Sequence, residues 1–137
     1  METYPESASE WTAPAQRSLR IVIADDEFDT VRTLMALLRD EGHQVLGAHT
    51  GRDALEALKH FDADAVILDI GMPDLNGWEV AREIRELRGW ERPLLIAITG
   101  RYTKSADRIF TGLTGFNHYL AKPYATAALL ALLAPLP

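Results

Sequence analysis

Hydrophobic residues along this chain follow two alternating patterns. Short, almost continuous runs of aliphatic residues predict strands that are covered on both faces, because such strands need no polar alternation. Between them, apolar residues recur three and four positions apart, the spacing of one face of a helix. The predicted strands are 19–24, 45–48, 65–68, 94–98 and 118–121, and the predicted helices lie around 31–38, 54–58, 80–87, 105–113 and 126–134.

Five strands that alternate with five helices predict an α/β fold, a parallel sheet with helices on both faces. We expect one such domain over residues 19–134, followed by a short C-terminal end at 135–137. Residues 1–18 are polar and acidic and lack periodicity, so they are expected to form a flexible tail. In sheets of this kind, ligands bind outside the carboxyl ends of the strands.

Composition narrows the possible functions. The 137 residues are 47% hydrophobic, enough for the core of one domain. A net charge of −6 without a basic cluster argues against a nucleic-acid surface. The absence of cysteine excludes disulfides and thiol chemistry and fits the expected cytoplasmic location. The longest apolar stretch, AALLALLA, is far shorter than the roughly 20 residues of a membrane span, so no membrane contact is expected.

Candidate site residues, most of them polar, follow four of the five predicted strands. They are Asp25, Asp26 and Glu27 after the first, Asp69 after the third, Thr99 and Gly100 after the fourth, and Lys122 after the fifth. Each has an ordinary explanation when taken alone, such as helix capping, turn formation or a solvated lysine. Together these explanations require four independent coincidences at one edge of one sheet. Acids held that close would repel one another unless a cation joined them.

An oxygen-rich cluster of this kind suits Mg²⁺, which binds one or two carboxylates and completes its shell with water and phosphate oxygens. Lys122 would add a charge for a phosphate oxygen and Thr99 a hydroxyl donor. Asp69 lies centrally enough to be a phosphoryl acceptor. The four histidines are too scattered for a metal site and are interpreted as surface or packing residues: His43, His49, His60 and His118.

Four motifs closely resemble the receiver domain of two-component response regulators. They occur in the order and at the spacing of that family, over roughly residues 19–133. The motifs are IVIADDE (Ile21–Glu27), VILDIGMPDLNGWEVAREIR (Val66–Arg85), LIAITG (Leu95–Gly100) and GFNHYLAKP (Gly115–Pro123). The particular residues in these motifs are most similar to those of single-domain receivers or of receivers associated with hybrid histidine kinases. The resemblance implies a flavodoxin-like, doubly wound sheet of five parallel strands in the order 2-1-3-4-5.

The resemblance also implies roles for the acidic residues. Asp69 matches the phosphoacceptor of the family. Asp26 matches a direct Mg²⁺ ligand, and Asp25 matches the neighbouring acid that usually acts through water. The backbone carbonyl of Gly71 matches a further metal ligand, so the expected metal site comprises Asp25, Asp26, Asp69 and Gly71.

A second group of residues matches the phosphate-binding and switch positions of the family. Gly71, Thr99, Gly100 and Lys122 are expected to hold the phosphoryl group, and Thr99 to act as the switch hydroxyl. Tyr119 matches the switch aromatic, whose rotamer follows phosphorylation. The peptide bond that follows Lys122 is expected to be cis, as receivers commonly hold it there.

The function implied is that of a signalling domain and not of a conventional enzyme. A histidine kinase or a histidine phosphotransfer protein would supply the phosphoryl group. Phosphorylation would then change the surface of the fourth helix, the fifth strand and the last helix, which contacts a second copy or an output partner.

The last helix carries no charge, and its Leu129, Leu130 and Leu133 are expected to be buried while Leu132 lies off that stripe. Thr126 is expected to be a weak cap there.

Two alternatives stay open on the sequence. A Mg²⁺-dependent phosphohydrolase of haloacid-dehalogenase type would need an Asp-x-Asp after the first strand, whereas Asp25 and Asp26 are adjacent. A receiver-shaped interaction module that never takes phosphate is opposed by the intact set of acids, Thr99 and Lys122. We expect the chain to be either a single-domain regulator or a piece of a longer protein.

Overall fold

The computed structural model describes residues 17–72, 74, 77–100 and 115–136. Its five strands form one parallel sheet in the order β2-β1-β3-β4-β5. The strands are β1 (Arg20–Ala24), β2 (Gln44–Ala48), β3 (Ala65–Asp69), β4 (Leu94–Thr99) and β5 (His118–Ala121). The helices are α1 (Phe28–Asp40), α2 (Gly51–His60), α3 (Gly77–Arg88) and a C-terminal helix (Thr126–Leu133). The doubly wound, flavodoxin-like fold is therefore confirmed.

The sequence pattern located every strand to within one residue at each end. The main difference is that β3 and β4 run one residue further, so that Asp69 and Thr99 are the last residues of their strands. The helix predicted at 105–113 and the tail up to residue 16 lie outside the described residues. In the described ranges, no helix has the length and apolar character that crossing a membrane requires.

Alternate residues of each strand fill two separate hydrophobic clusters, one on each face of the sheet. Val22 and Val66 face α2 and α3, whereas Ile21 and Ile67 face α1 and the C-terminal helix. All five residues of β3 are buried. Because helices cover both faces, the carboxyl edge of the sheet is the place where strand-end side chains can meet a ligand.

The C-terminal helix buries one side against the sheet. Leu129 and Leu133 are fully buried, as expected, and Leu130 is partly buried. The expectation that Leu132 lies away from this packing is wrong. Leu132 is partly buried and packs against the same cluster, because it follows Leu129 by three positions and so lies on the same face of the helix.

The start of the C-terminal helix also differs from expectation. Ala125 is its N-cap residue, and within the described part of the chain no side chain caps it. Thr126 is the first helical residue, one position too late to act as the cap. By contrast, Thr50 at the start of α2 accepts a hydrogen bond from the backbone N–H of Asp53 at 3.0 Å.

Arg85 fixes the amino ends of β4 and β5. Its side chain is buried and reaches the loops that precede both strands. Nε donates to the carbonyl of Gly115 at 2.9 Å, Nη1 to the carbonyl of Pro93 at 2.9 Å, and Nη2 to Asn117 Oδ1 at 2.8 Å. Asn117 Oδ1 also accepts from the backbone N–H of Leu95 at 2.8 Å. One guanidinium thus connects α3 to two strands whose other ends carry candidate site residues.

The histidines are packing or surface residues, as predicted. His43 is buried, and its Nδ1 accepts a hydrogen bond from the backbone N–H of Leu19 at 3.0 Å. Burial lowers the pKa of His43 below 6.5, although the negative charge of Glu41 partly opposes the shift. His49 stacks on Phe28 with ring centroids 3.7 Å apart.

We predict that His43 makes folding sensitive to mild acid. Its folded pKa is depressed, so its contribution to the free energy of unfolding is complete above pH 6.5 and is lost as the pH falls through the folded pKa. His43→Gln offers an acceptor that does not titrate, so urea unfolding of this variant should lose that part of the pH dependence. The exposed His118 of β5 provides the control. His118→Gln should keep the pH dependence of the parent, and identical profiles for all three proteins would contradict the prediction.

Candidate functional site

The register of the sheet brings four predicted site residues to one edge. Ala24 of β1 pairs with Leu68 of β3, so Asp25 and Asp69 are the next residues of two neighbouring strands. On the other side of β3, Thr99 of β4 pairs with Ala121 of β5, and Lys122 follows directly. The backbone N–H of Lys122 donates to the carbonyl of Thr99 at 2.7 Å, which continues the pairing by one residue.

Three carboxylates converge at this edge. One oxygen from each of Asp25, Asp26 and Asp69 lies within 4.8 Å of the others. Asp25 and Asp69 are buried and Asp26 is exposed. Ligand oxygens of one octahedral Mg²⁺ at its usual bond length lie about 3 to 4 Å apart. The donor set consists of oxygen alone and its spacing is close to this range, so the three acids fit such an ion.

Lys122 partly offsets the repulsion among these acids. Its Nζ donates to Asp25 Oδ2 at 3.2 Å, and it lies 3.6 Å from Glu27 Oε1 and 3.7 Å from Asp69 Oδ2. Burial alone would lower the pKa of Lys122, but the negative charges of Asp69 and Asp25 and the hydrogen bond to Asp25 raise the pKa above 10.5. The ammonium is therefore charged at neutral pH. The bond from Lys122 to Pro123 is cis, as predicted.

Backbone N–H groups orient two of the carboxylates. Gly71 N–H donates to Asp69 Oδ1 at 2.9 Å, and Glu27 N–H donates to Asp25 Oδ1 at 2.9 Å. The other oxygen of each carboxylate is the one nearer Lys122. Each acid is thus held in one orientation between a local backbone donor and the lysine on β5.

A cleft of about 520 Å³ opens above the acids. It is lined by Asp26, Glu27, Asp69, Ile70, Gly71, Thr99, Gly100 and Lys122. The structure therefore brings together the predicted metal and phosphate residues, with Asp25 beneath them in contact with Lys122. Tyr119 does not line the cleft. It is partly buried on β5 and packs against the cluster that faces α2 and α3.

The loop after Asp69 contains a contact that the sequence did not reveal. Asp74, for which the sequence predicted no role, accepts hydrogen bonds from the backbone N–H groups of Gly51 at 2.9 Å and Arg52 at 3.1 Å. These donors belong to the first turn of α2, more than 20 residues earlier in the chain. A signal was present, since helix N-termini attract acids, but local spacing gives no reason to join these two segments.

We predict that Lys122→Met destabilises the metal-free protein by about 1.5 to 3 kcal/mol, the range for hydrogen bonds to charged groups. The raised pKa means that the contribution of Lys122 is complete below pH 10.5 and is lost as the pH rises through its folded pKa. Urea unfolding in a chelator, from neutral pH to above pH 10.5, measures both effects. The control is Lys59→Met, which removes an ion pair with Glu56 whose two side chains are both exposed, so it should cost much less than Lys122→Met. Equal losses would contradict the prediction.

Comparisons with known sequences agree with this site. The response regulator receiver domain family matches residues 21–134. The transcriptional regulatory protein KdpE of Mycobacterium tuberculosis is 36% identical over 111 residues, which cover 81% of this chain and 47% of KdpE. The sensory/regulatory protein RpfC of Xanthomonas campestris is 34% identical over 122 residues, which cover 88% of this chain and 17% of RpfC. The chain thus spans about half the length of KdpE and a smaller part of RpfC.

Solved structures show the same fold. The receiver domain of a sensor histidine kinase from Pseudomonas aeruginosa, with a magnesium ion in its active-site cleft, superposes with a TM-score of 0.76 at 29% identity, over 88% of this chain and 98% of that one. The response regulator TrrA of Thermotoga maritima, in complex with Mg²⁺ and BeF, gives a TM-score of 0.75 at 30% identity, over 87% and 99% of the chains. This chain belongs to the response regulator receiver domain family.

Proposed function

We propose that this receiver takes a phosphoryl group onto the carboxylate of Asp69 from the phosphohistidine of a histidine kinase or histidine phosphotransfer protein. The observation that carries the proposal is the position of Asp69 in the cleft, 3.7 Å from Lys122 and grouped with Asp25 and Asp26. Membership of the receiver family supports this chemistry and counts against the haloacid-dehalogenase alternative.

The carboxylates of Asp25, Asp26 and Asp69 and the backbone carbonyl of Gly71 would hold Mg²⁺. When bound, this ion supplies positive charge that neutralises the acceptor and the phosphoryl oxygens. The fit rests on the oxygen-only donor set of this chain. Two related receivers whose structures contain magnesium support the same assignment.

In the transfer, an oxygen of the Asp69 carboxylate forms a bond to phosphorus while the bond from phosphorus to the donor histidine nitrogen breaks. The electron pair of the broken bond stays on that nitrogen. Lys122, already charged and near Asp69, binds a phosphoryl oxygen and stabilises the negative charge that moves to the acceptor. Gly71 and Gly100 line the cleft and bring backbone close to the phosphoryl group.

The hydroxyl of Thr99 would hold another phosphoryl oxygen and so act as the switch. Tyr119, on the neighbouring strand, would change rotamer in response, and the surface formed by the helix predicted at 105–113, β5 and the C-terminal helix would follow. Two observations support this surface as the contact with a second copy or an output protein. The C-terminal helix carries no charged residue, and its exposed positions include Ala127, Ala128 and Ala131.

The family match over residues 21–134 supports one receiver domain at 19–134, with a separate tail at 1–18. A cytoplasmic location follows from the proposed donor, since phosphohistidine donors of this class act inside the cell. The chain would work there as a signalling domain that assists its own phosphotransfer.

Incubation with acetyl phosphate and Mg²⁺, followed by intact-mass measurement, tests the proposed function. The parent should gain the mass of one phosphoryl group, and Asp69→Asn should gain none, because the amide keeps the shape of the carboxylate but is not a nucleophile. As a control, Asp53→Asn changes an exposed acid of α2 outside the cleft and should be labelled like the parent.

Two other results of this labelling experiment would contradict the proposal. A parent that gains no mass would favour an interaction module that is never phosphorylated. Full labelling of Asp69→Asn would show that a different residue is the acceptor.

A further inference from the structure

We propose that Asp74 is a positioning residue for the phosphoacceptor site, because it ties the loop that follows Asp69 to the first turn of α2. The proposal rests on the function proposed above for Asp69 and Mg²⁺. Asp74 does not line the cleft, so its effect would pass through the backbone of the loop.

The tie consists of two hydrogen bonds between segments that are distant in sequence. Asp74 Oδ1 accepts from Gly51 N–H at 2.9 Å and Oδ2 from Arg52 N–H at 3.1 Å. These are the first two N–H groups of α2, which have no partner within the helix. Thr50 provides acceptors for the next two, from Asp53 N–H at 3.0 Å and Ala54 N–H at 3.1 Å. The bond from Ala54 is the first ordinary bond of the helix, so two of the three N–H groups in the first turn that need an outside acceptor, those of Gly51 and Arg52, bond to the loop after β3.

Three described residues at the base of this loop are also held in place. Gly77 N–H donates to the carbonyl of Ile70 at 3.2 Å, and a Cβ at position 77 would lie only 2.6 Å from Ile70 Cα. Glycine is therefore required for this close approach. Met72 is buried in the core below the loop. Asp74 supplies the outer anchor, on the side that faces α2.

Gly71 lies between these anchors. Its N–H donates to Asp69 Oδ1 at 2.9 Å, and the residue lines the cleft and is exposed. The proposed metal ligand at this position is a backbone carbonyl, which has no side-chain freedom with which to adjust. The position of the Gly71 carbonyl oxygen therefore depends on the backbone around it, and Asp74 is one of the residues that fix this backbone.

Loss of the Asp74 carboxylate should weaken the site without removing any group from it. Partners that orient metal ligands from outside typically change metal affinity by about 10- to 100-fold. Because two other anchors remain, we expect Asp74→Ala to raise the Mg²⁺ dissociation constant by about tenfold and to slow labelling by acetyl phosphate similarly. Asp74→Asn, which keeps one acceptor oxygen, should show a smaller change in both.

Thr50→Ala is the matched control. It removes a hydrogen bond from the same end of α2 but none from the loop, so it separates helix capping from positioning. Both alanine variants should lower the melting temperature, since each removes an acceptor for N–H groups at the start of α2. Thr50→Ala should nevertheless bind Mg²⁺ with the affinity of the parent in calorimetric titration.

Two results would overturn the role of Asp74 alone. One is a parent-like Mg²⁺ affinity in Asp74→Ala, and the other is an equal loss of affinity in Thr50→Ala. If Asp74→Ala does not fold, the same Mg²⁺ titration is made with Asp74→Asn. A parent-like Mg²⁺ affinity of that variant would contradict the role of Asp74. A parent that binds Mg²⁺ but is not labelled refutes the proposed function and leaves the Mg²⁺ comparison to decide about Asp74. A parent that binds no Mg²⁺ overturns both.

Discussion

The repulsion among three carboxylates at the carboxyl edge of the sheet is the constraint on which the rest of the structure depends. Asp25 and Asp69 are buried there, and the ammonium of Lys122 is the cationic group that lies near them in the part of the chain that the structure describes. Such a cluster is unfavourable in isolation, because each added charge raises the cost of the others. It persists because the strands that deliver the acids are fixed by packing on both faces of the sheet. The core thus stabilises an arrangement that is prepared for a cation and a phosphoryl group.

The opposite edge of the sheet contains a buried carboxylate whose charge is fully paired, in contrast to the acids of the cleft. Asp64, just before β3, is buried and lies 3.0 Å from Arg17 and 2.6 Å from Arg92, and it accepts a hydrogen bond from Arg20 N–H at 2.8 Å. Burial alone would raise the pKa of Asp64, but these hydrogen bonds and charges lower it. Asp64 thus has two arginines, whereas among the described residues at the carboxyl edge Asp25 and Asp69 both lie near the same lysine and Asp26 is grouped with them. The imbalance distinguishes the functional edge from the structural one.

Local patterns in the sequence were sufficient for the strands and for most of the site. Apolar runs are local signals, and the rule that the carboxyl ends of parallel strands converge predicts that Asp25, Asp69 and Lys122 form one cluster. Two features were not accessible in this way. Asp74 caps a helix more than 20 residues earlier in the chain, and Arg85 connects loops that precede two strands. Each depends on which segments become neighbours, and helical or strand periodicity carries no information about that. Leu132 is a different case, because its spacing of three from Leu129 was itself a local signal for the packing that the structure shows.

The proposed switch role of Tyr119 depends on more than the position of this residue in one structure. Tyr119 is on the predicted strand and packs partly against the core, but its role depends on a second state of the protein. A movement of the Thr99 side chain could alter β5, because Thr99 pairs with Ala121 of that strand and Lys122 follows directly. The two proposed functions of this edge, phosphate binding and signal output, thus share one pair of strands.

Thermal melting with and without Mg²⁺ tests the central claim most directly, namely that the three acids form a cation site under electrostatic strain. A ligand at 100 times its dissociation constant adds about 2.7 kcal/mol to the free energy of unfolding. The melting temperature of the parent should therefore rise as Mg²⁺ is added to chelator-treated protein, and that of Asp26→Ala should not. A melt of the parent that is independent of Mg²⁺, or an equal rise in Asp26→Ala, would contradict the account.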